Sequence, residues 1–526
     1  MVLGALGVVL EGGLKVFWPT AVAQVRLADG RWFLGQFQGR QLDPATGARS
    51  LLWKTGNREW DPQRQDFHWL PEDQIADILW PAEAVLLERR ENGNFYGFFR
   101  KVEGPLVEPG LGQGSEDAWT RFQAALAVVR QAEASEVAPL AAEVAQCTRR
   151  LRGLKTQLRK AAYRLQRADA TDAHLHPPVQ AKLHRLRAQA EHLAHQGQEL
   201  MNRHNARVAE LRHNVAIFEH GPGQTCRIPL MDIVRGCQPN RMGVAQKAAW
   251  YAAHVKDLLI QWPRESNTEG GLFPAIFGTV LLVFVMSVLC FPVGVVAGVY
   301  LAEYARQGPL VRVVRVAVNN LAGIPSIVYG IFGLGFFIYT VGKAVDRVAF
   351  PEWAEVGQPV FGTGGVLWAA LTLGLLTAPV VIVATEEALR TIPRVMREGS
   401  YALGATQWQT LTHVLLPMAS PGIMTGFILA TARAAGEVAP LMLTGAVKLV
   451  SDLAIDGDFP YVHLDRKFMH LGFHIYDLGF QSPNVDASQP MVYLTTLVLV
   501  LVVVGLTGSA LILRNRMRRY YHPKSL

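Results

Sequence analysis

Four stretches of this chain contain no charged residue: those between Glu269 and Glu303, Arg315 and Lys343, Glu355 and Glu386, and Asp486 and Arg514. Each exceeds the roughly 20 residues that a helix needs to cross a bilayer. Inside hydrocarbon a helix is also the way a single segment satisfies its own backbone. A fifth run, from about Val414 to Val447, is interrupted only by Arg433 and Glu437. Five membrane spans are therefore expected, after a region up to Glu269 in which charge is dense. The 526 residues are 50% hydrophobic, yet mean hydropathy is only +0.16. That balance suits a chain joining a soluble part to a membrane part.

Loops rich in Lys and Arg stay on the cytoplasmic side of a membrane. Arg306, Arg312 and Arg315 fill one loop, Arg390, Arg394 and Arg397 another, and Arg514, Arg516, Arg518, Arg519 and Lys524 the tail. The alternate loops mix signs, so residues 17–268 are expected on the outer face. Exporting them takes one more crossing. Met1 to Leu10 is apolar and stops at Glu11, which reads as the outer half of a first membrane helix whose start would lie upstream; an ordinary buried apolar segment is the alternative. The formal net charge of +8 follows from basic cytoplasmic loops. No zinc-finger or RNA-binding signature accompanies it, so no nucleic-acid partner is expected.

In the outer region, Asp29-Gly30 and Asn92-Gly93 each sit between apolar-rich flanks, a hairpin signal. A small β-rich subdomain is expected over 17–114. Beyond it Leu151, Leu154, Leu158, Ala161 and Leu165, then Leu183, Leu186, Ala190 and Leu193, recur at helical spacing on either side of Pro177-Pro178. This predicts an antiparallel helical hairpin and linker over 115–268. Its basic run, from Arg149 to Lys160, reads as a solvated face, with an anion or acidic partner as the alternative. The histidines lack a cluster of further ligands, so no metal is expected. Cys226 and Cys237 either pair or remain free thiols.

A charge within a span marks function by default, which singles out Arg433. Glu437, four positions on, would lie one turn along the same helix face. The pair can neutralise itself when the path is empty and offer a guanidinium fork to an oxyanion. Locking two helices together is the alternative role. Pro325 and Ser326, within Asn320-Leu-Ala-Gly-Ile-Pro-Ser-Ile-Val-Tyr-Gly330, free backbone groups to line a pathway or merely kink a helix. Glu386, Glu387 and Arg390 end a span and form either an inner gate or a surface pair. No G-x4-G-K-[S/T] phosphate loop occurs, so ATP hydrolysis by that route is not expected of this chain.

Glu398, Gly399, Ser400, Gly404, Ala405, Val414, Leu416 and Pro417 follow the spacing E-A-A-x3-G-x9-I-x-L-P, with Gly399-Ser400 in place of Ala-Ala and Val414 in place of Ile. The segment resembles the coupling loop of ABC-importer permeases. Together with Asn320 to Gly330 and Ala432-Arg-Ala-Ala-Gly-Glu-Val-Ala-Pro-Leu441, it makes the chain similar to the A-type permeases of Pst phosphate importers, in a long form with a large periplasmic insertion. The resemblance implies a mainly α, polytopic membrane protein with a type I ABC-importer transmembrane domain over 270–514 (coupling loop 386–417), plus an external α+β domain. Residues 1–16 would be the remnant of a first membrane helix and 515–526 a cytoplasmic tail. It further implies a bacterial inner membrane location and a substrate path through Arg433, Glu437, Pro325 and Ser326. The implied partners are a second homologous permease, an ABC ATPase dimer that uses the ATP, a periplasmic phosphate-binding protein, phosphate and membrane lipid, with no cofactor bound by this chain. Alternatives are a permease for sulfate or molybdate, or a phosphate-sensing membrane scaffold.

Overall fold

The chain folds as two units. The first comprises Met1–Val16, Leu258–Pro263 and Gly271–Leu526; the second comprises Phe17–Asp257 and Arg264–Gly270. The computed structural model describes residues 2–42, 49–57, 67–107, 118–168, 176–264, 267, 269–482 and 485–521. The Gly-rich stretch after Glu108, most of the expected hairpin loop and Lys524 lie outside the described residues.

Among the described residues of the first unit, five helices are long and apolar enough to span a membrane: Phe273–Tyr304, Ser326–Ala349, Val366–Arg390, Gln407–Gly436 and Ser488–Arg518. They are called spans one to five. Without a hydrophobic force between them in lipid, helices gain most by approaching closely over small residues. Gly294 and Gly298 of span one accordingly face Val381 and Thr385 of span three, and Gly374 of span three faces Cys290. Leu282, Met286, Ala369, Ala370, Leu373 and Ala434 form a shared core. The apolar helix Val2–Lys15 packs on span five, with Gly12 against Tyr493 and Gly13 against Leu497. At 14 residues it is about 21 Å long, short of the hydrocarbon thickness of about 30 Å.

The second unit is built on two antiparallel sheets. The first uses β1 (Val22–Leu27), β2 (Trp32–Leu42), β3 (Arg49–Lys54), β4 (Phe67–Pro71) and β5 (Ile75–Leu79) in the order β4-β3-β2-β1-β5. The second uses β6 (Ala84–Arg89), β7 (Phe95–Glu103), β8 (Val215–Gly221), β9 (Gln224–Pro229) and β10 (Ile233–Cys237) in the order β10-β6-β7-β8-β9. Asp29-Gly30 and Asn92-Gly93 make the β1–β2 and β6–β7 turns, with positive φ at Gly30, Asn92 and Gly93. The segment expected to be only hairpin and linker therefore also holds β8 to β10. The second sheet closes only after the chain has returned from a helical excursion.

That excursion comprises helices Ala118–Ala132, Ala138–Ala168 and His176–Arg212. The last two are antiparallel: Cys147 donates to the Leu193 carbonyl and touches Gly197, while Ala161 is buried with Leu183 and Leu186. At its foot Asn214, fully buried, accepts from the Leu106 amide at 2.9 Å and donates to the Leu211 carbonyl at 3.0 Å. Phe122 and Val129 of the first helix fill the core of the second sheet with Phe95 and Phe218. Cys226 and Cys237 do not pair. They lie on β9 and β10, the two ends of the strand order, and both are buried free thiols.

One charge cluster ties this unit together. Glu88 on β6 meets Arg235 of β10 at 3.1 Å, His254 at 3.1 Å and Arg264, while Arg235 also pairs with Asp257. Burial alone would raise the Glu88 carboxyl, but the His254 hydrogen bond and the charges of Arg235 and Arg264 bring it down from 4.5 to about 2. A depressed carboxylate stabilises the fold above its unfolded pKa and stops doing so as pH falls through its folded pKa. The contribution of Glu88 is therefore complete above about pH 4.5 and lost toward pH 2. Glu88→Gln in the full chain should cost about 3–5 kcal/mol at pH 7, because Arg235 and Arg264 lose their buried partner. Hydrogen exchange of the β6 and β10 amides, corrected for intrinsic rates, should then be roughly two hundred- to several thousandfold faster than in wild type, and the gap should close toward pH 2. Equal protection at pH 7 would remove the cluster from the stability argument.

Candidate functional site

Span three ends at Arg390, and Pro393 starts a short helix, Arg394–Ala402. Gly404, at φ +85° with open space around it, turns the chain. Thr406 then caps span four: its side chain accepts from the Gln409 amide while the Gln409 side chain accepts from the Thr406 amide. This reciprocal cap fixes the entry of the helix. Ser400 and Thr410 share a hydroxyl hydrogen bond of 2.8 Å that holds the short helix against the start of span four.

The expected motif residues divide into two groups. Glu398, Gly399 and Gly404 are exposed and Ala405 is half-buried. Leu416 and Pro417 are half-buried within span four, and Leu416 packs on the cluster of Val299, Leu389, Leu411 and Leu415. The first group can meet another molecule, whereas the second anchors the loop. Leu403, Trp408 and Val395 were not singled out by the spacing, yet they stand 91%, 66% and 73% exposed around the turn. Large apolar side chains left in water among charges mark an interaction surface. The signal was present in the sequence as apolar residues in an otherwise basic loop.

Two ion-pair groups brace this segment. Arg397 bridges to Glu303 at 2.7 Å, both largely buried, and also donates to the Leu389 and Ile392 carbonyls at the end of span three. Glu386 accepts from Arg315 at 2.7 Å and from Arg390 at 2.6 Å, and Arg315 also donates to the Leu301 carbonyl. Arg315 belongs to helix Pro309–Leu321, so Glu386 ties span three to that helix, and Arg315 carries the link on to span one, rather than Glu386 making a local pair with Arg390 alone. Glu387 is exposed, and its backbone carbonyl accepts from the Thr391 amide at the end of the span.

The Arg433–Glu437 pair forms, with Nε to Oε1 at 3.5 Å, but not as two residues on one helix face. Span four ends at Gly436, Glu437 is extended (φ −81°, ψ 128°), and a new helix, Ala439–Thr444, begins beyond it. Gly436 weakens the helix, and Pro440 supplies no amide to bond back to the Gly436 carbonyl, so the ladder cannot run through. Glu437 therefore sits at a backbone break, with both side chains partly accessible, at 32% and 22%.

Pro325 caps the start of span two, whose first helix is Ser326–Phe332. Gly330 of that helix touches Pro440 so closely that a Cβ would lie 2.7 Å from its Cα. This contact brings the Pro325–Ser326 element beside the segment that follows Glu437. The Tyr329 hydroxyl donates to the Leu321 carbonyl at 2.7 Å and lies within electrostatic reach of Arg433. The Asn320 carbonyl accepts from the Gly323 amide at 3.0 Å, closing the turn that precedes span two.

Residues 294–519 match the family model of the binding-protein-dependent transport system inner membrane component. The chain is 39% identical over 197 residues to phosphate transport system permease protein PstA 1 of Mycobacterium tuberculosis (strain CDC 1551 / Oshkosh), covering 38% of this chain and 57% of that protein. It is 38% identical over 182 residues to PstA of Yersinia pestis, covering 35% and 55%. For PstA of Haemophilus influenzae (strain ATCC 51907 / DSM 11121 / KW20 / Rd) identity is 34% over 230 residues, covering 44% and 71%. The chain thus spans little more than half the length of the first two relatives and over two thirds of the third. On the strength of these matches and the helical membrane unit, the chain belongs to the PstA family of ABC-transporter permeases.

Proposed function

We propose that this chain is a permease subunit of an ATP-driven phosphate importer in a bacterial inner membrane, with residues 17–268 on the periplasmic side. A second, homologous permease completes the translocation path. An ABC ATPase dimer supplies the energy, and a periplasmic phosphate-binding protein delivers the anion. This chain contributes no ATPase site. The observation that carries the reading is Arg433, in the last turn of span four, facing across the backbone break that ends the span a carboxylate at 3.5 Å.

An arginine whose partner is long and not hydrogen-bonded can exchange it for a better one. Phosphate offers oxygens matched to the guanidinium fork, so the arriving anion takes the fork while Glu437 accepts a hydrogen bond from a ligand that still carries a proton. Pro325, Ser326 and the break at Glu437 leave backbone groups beside the path, tolerated at membrane depth only where protein or water satisfies them. At the other end, Leu403, Trp408 and Val395, together with Glu398, Gly399 and Gly404, form the face that enters the ATPase. Glu303–Arg397 and Glu386–Arg315–Arg390 carry its movement into spans one and three, and the second group serves as an inner gate.

Two measurements test this. In a strain lacking the gene, Arg433→Ala at matched membrane expression should lower labelled-phosphate uptake at limiting phosphate by tenfold or more, given the roughly 2–5 kcal/mol of a truncated charge contact. Arg433→Lys should be intermediate, because an ammonium keeps the charge without the fork. Failure of wild type to restore phosphate uptake, with restored sulfate or molybdate uptake, would move the assignment to another oxyanion. Separately, Leu403→Asp and Trp408→Ala should abolish co-purification of the ATPase and uptake together, with the permease still in the membrane. Retained ATPase binding by both variants would displace the docking face from this turn.

A further inference from the structure

The hairpin of helices Ala138–Ala168 and His176–Arg212 supplies no strand to either sheet. The two sheets share one strand order, and each reaches its last strand through a proline-led 3-10 turn, Pro71 to Ile75 and Pro229 to Ile233, with nearly identical backbone angles at the proline. The second sheet repeats the plan of the first. In the first, residues 43–48 connect the second strand to the third; in the second, the same connection runs from 104 to 214. The hairpin is therefore an arm added at one connection of a repeated unit.

The far part of that arm is strongly basic. Residues 148–195 hold eleven Arg and Lys against Asp169, Asp172 and Glu191, an excess of eight that equals the formal excess of the whole chain. Arg150, Lys155 and Arg164 on one helix, and Lys182, Arg185 and Arg187 on the other, are exposed. The apolar seam is consumed between the helices, where Ala161, Leu183 and Leu186 are buried. Among the described residues of this stretch no large hydrophobic side chain is exposed.

We propose that this arm binds a linear polyphosphate chain. Eight of the eleven cations are arginine, whose planar fork matches pairs of phosphate oxygens. On the first of the two helices these charges run from Arg149 to Arg167, about 27 Å of helix, a length suited to a polymer rather than a single ion. Other polyanions need groups the arm lacks. A bilayer surface is held by an apolar face laid into it, a protein partner by buried aromatic anchors, and a single nucleic-acid strand by aromatic stacking. Tyr163 is the one Phe, Trp or Tyr of the stretch and is half-buried. The proposal stands on charge and geometry and does not depend on the transport reading.

The test uses the full chain in neutral detergent, fluorescently labelled long-chain polyphosphate and a variant with Arg150, Lys155, Arg164, Lys182, Arg185 and Arg187 all changed to Gln. Wild-type affinity should fall linearly with salt on logarithmic axes, as counterion release demands. The variant should bind at least tenfold more weakly, with a shallower slope and unchanged inorganic phosphate uptake. Hydrogen-exchange protection of wild type by polyphosphate should map to residues 148–195, a readout that needs no variant. Equal binding by a folded variant, or protection confined to other segments, would overturn the proposal. So would equal or tighter wild-type binding of phosphatidylglycerol vesicles, polyglutamate or single-stranded DNA at matched charge.

Discussion

A charge that leaves water must find a counter-charge, and the membrane unit is arranged around that requirement. Glu303 and Glu386 are largely buried at the ends of spans one and three, and each is neutralised by an arginine distant in sequence: Arg397 and Arg315. Both guanidiniums also take up carbonyls that a helix end leaves without partners. Moving the short helix Arg394–Ala402 away from span one would strand a buried carboxylate. The loop and the spans are therefore bound to shift together.

The same requirement shapes the end of span four. There the counter-charge is near but not bonded, and the backbone carrying it is not helical. A fully buried, doubly hydrogen-bonded pair would be a lock, since breaking it strands an ion. A long contact between partly accessible groups costs little to exchange. The tight packing around it, with Gly330 against Pro440 and Gly333 against Thr372 and Thr444, keeps the break in place while the pair stays free to change partners.

How much of this was legible follows from the range of each interaction. The spans were readable because uncharged runs of that length have one stable outcome in lipid, and the turn at Gly404 because its spacing is local. The hairpin turns at Asp29-Gly30 and Asn92-Gly93 were readable for the same reason. The partners of Glu303 and Glu386 lie 94 and 71 residues away, and no periodicity links them; Arg315 and Arg397 registered only as topological charge. Glu437 was misplaced onto a helix face although Gly436 and Pro440 flanked it, a local signal outweighed by attractive four-residue spacing. The second sheet was missed because β8 to β10 return only after 111 residues that read as helix or loop.

That long return is physically mild. β7 and β8 pair directly, with Glu103 opposite Val215, so the two ends of the insert emerge as neighbours about 5 Å apart. An insert whose ends already meet adds only slowly growing closure entropy, and the arm offsets its own ordering through the seam of Leu154, Leu158, Ala161, Leu183 and Leu186. Asn214 seals the joint by satisfying the amide and carbonyl exposed where strand gives way to helix. Because the arm brings its own core and borrows only a pair of adjacent strands, its surface can change charge without disturbing the sheet that carries it. The concentration on that surface of an excess equal to the chain's own is thus free of any demand the fold makes.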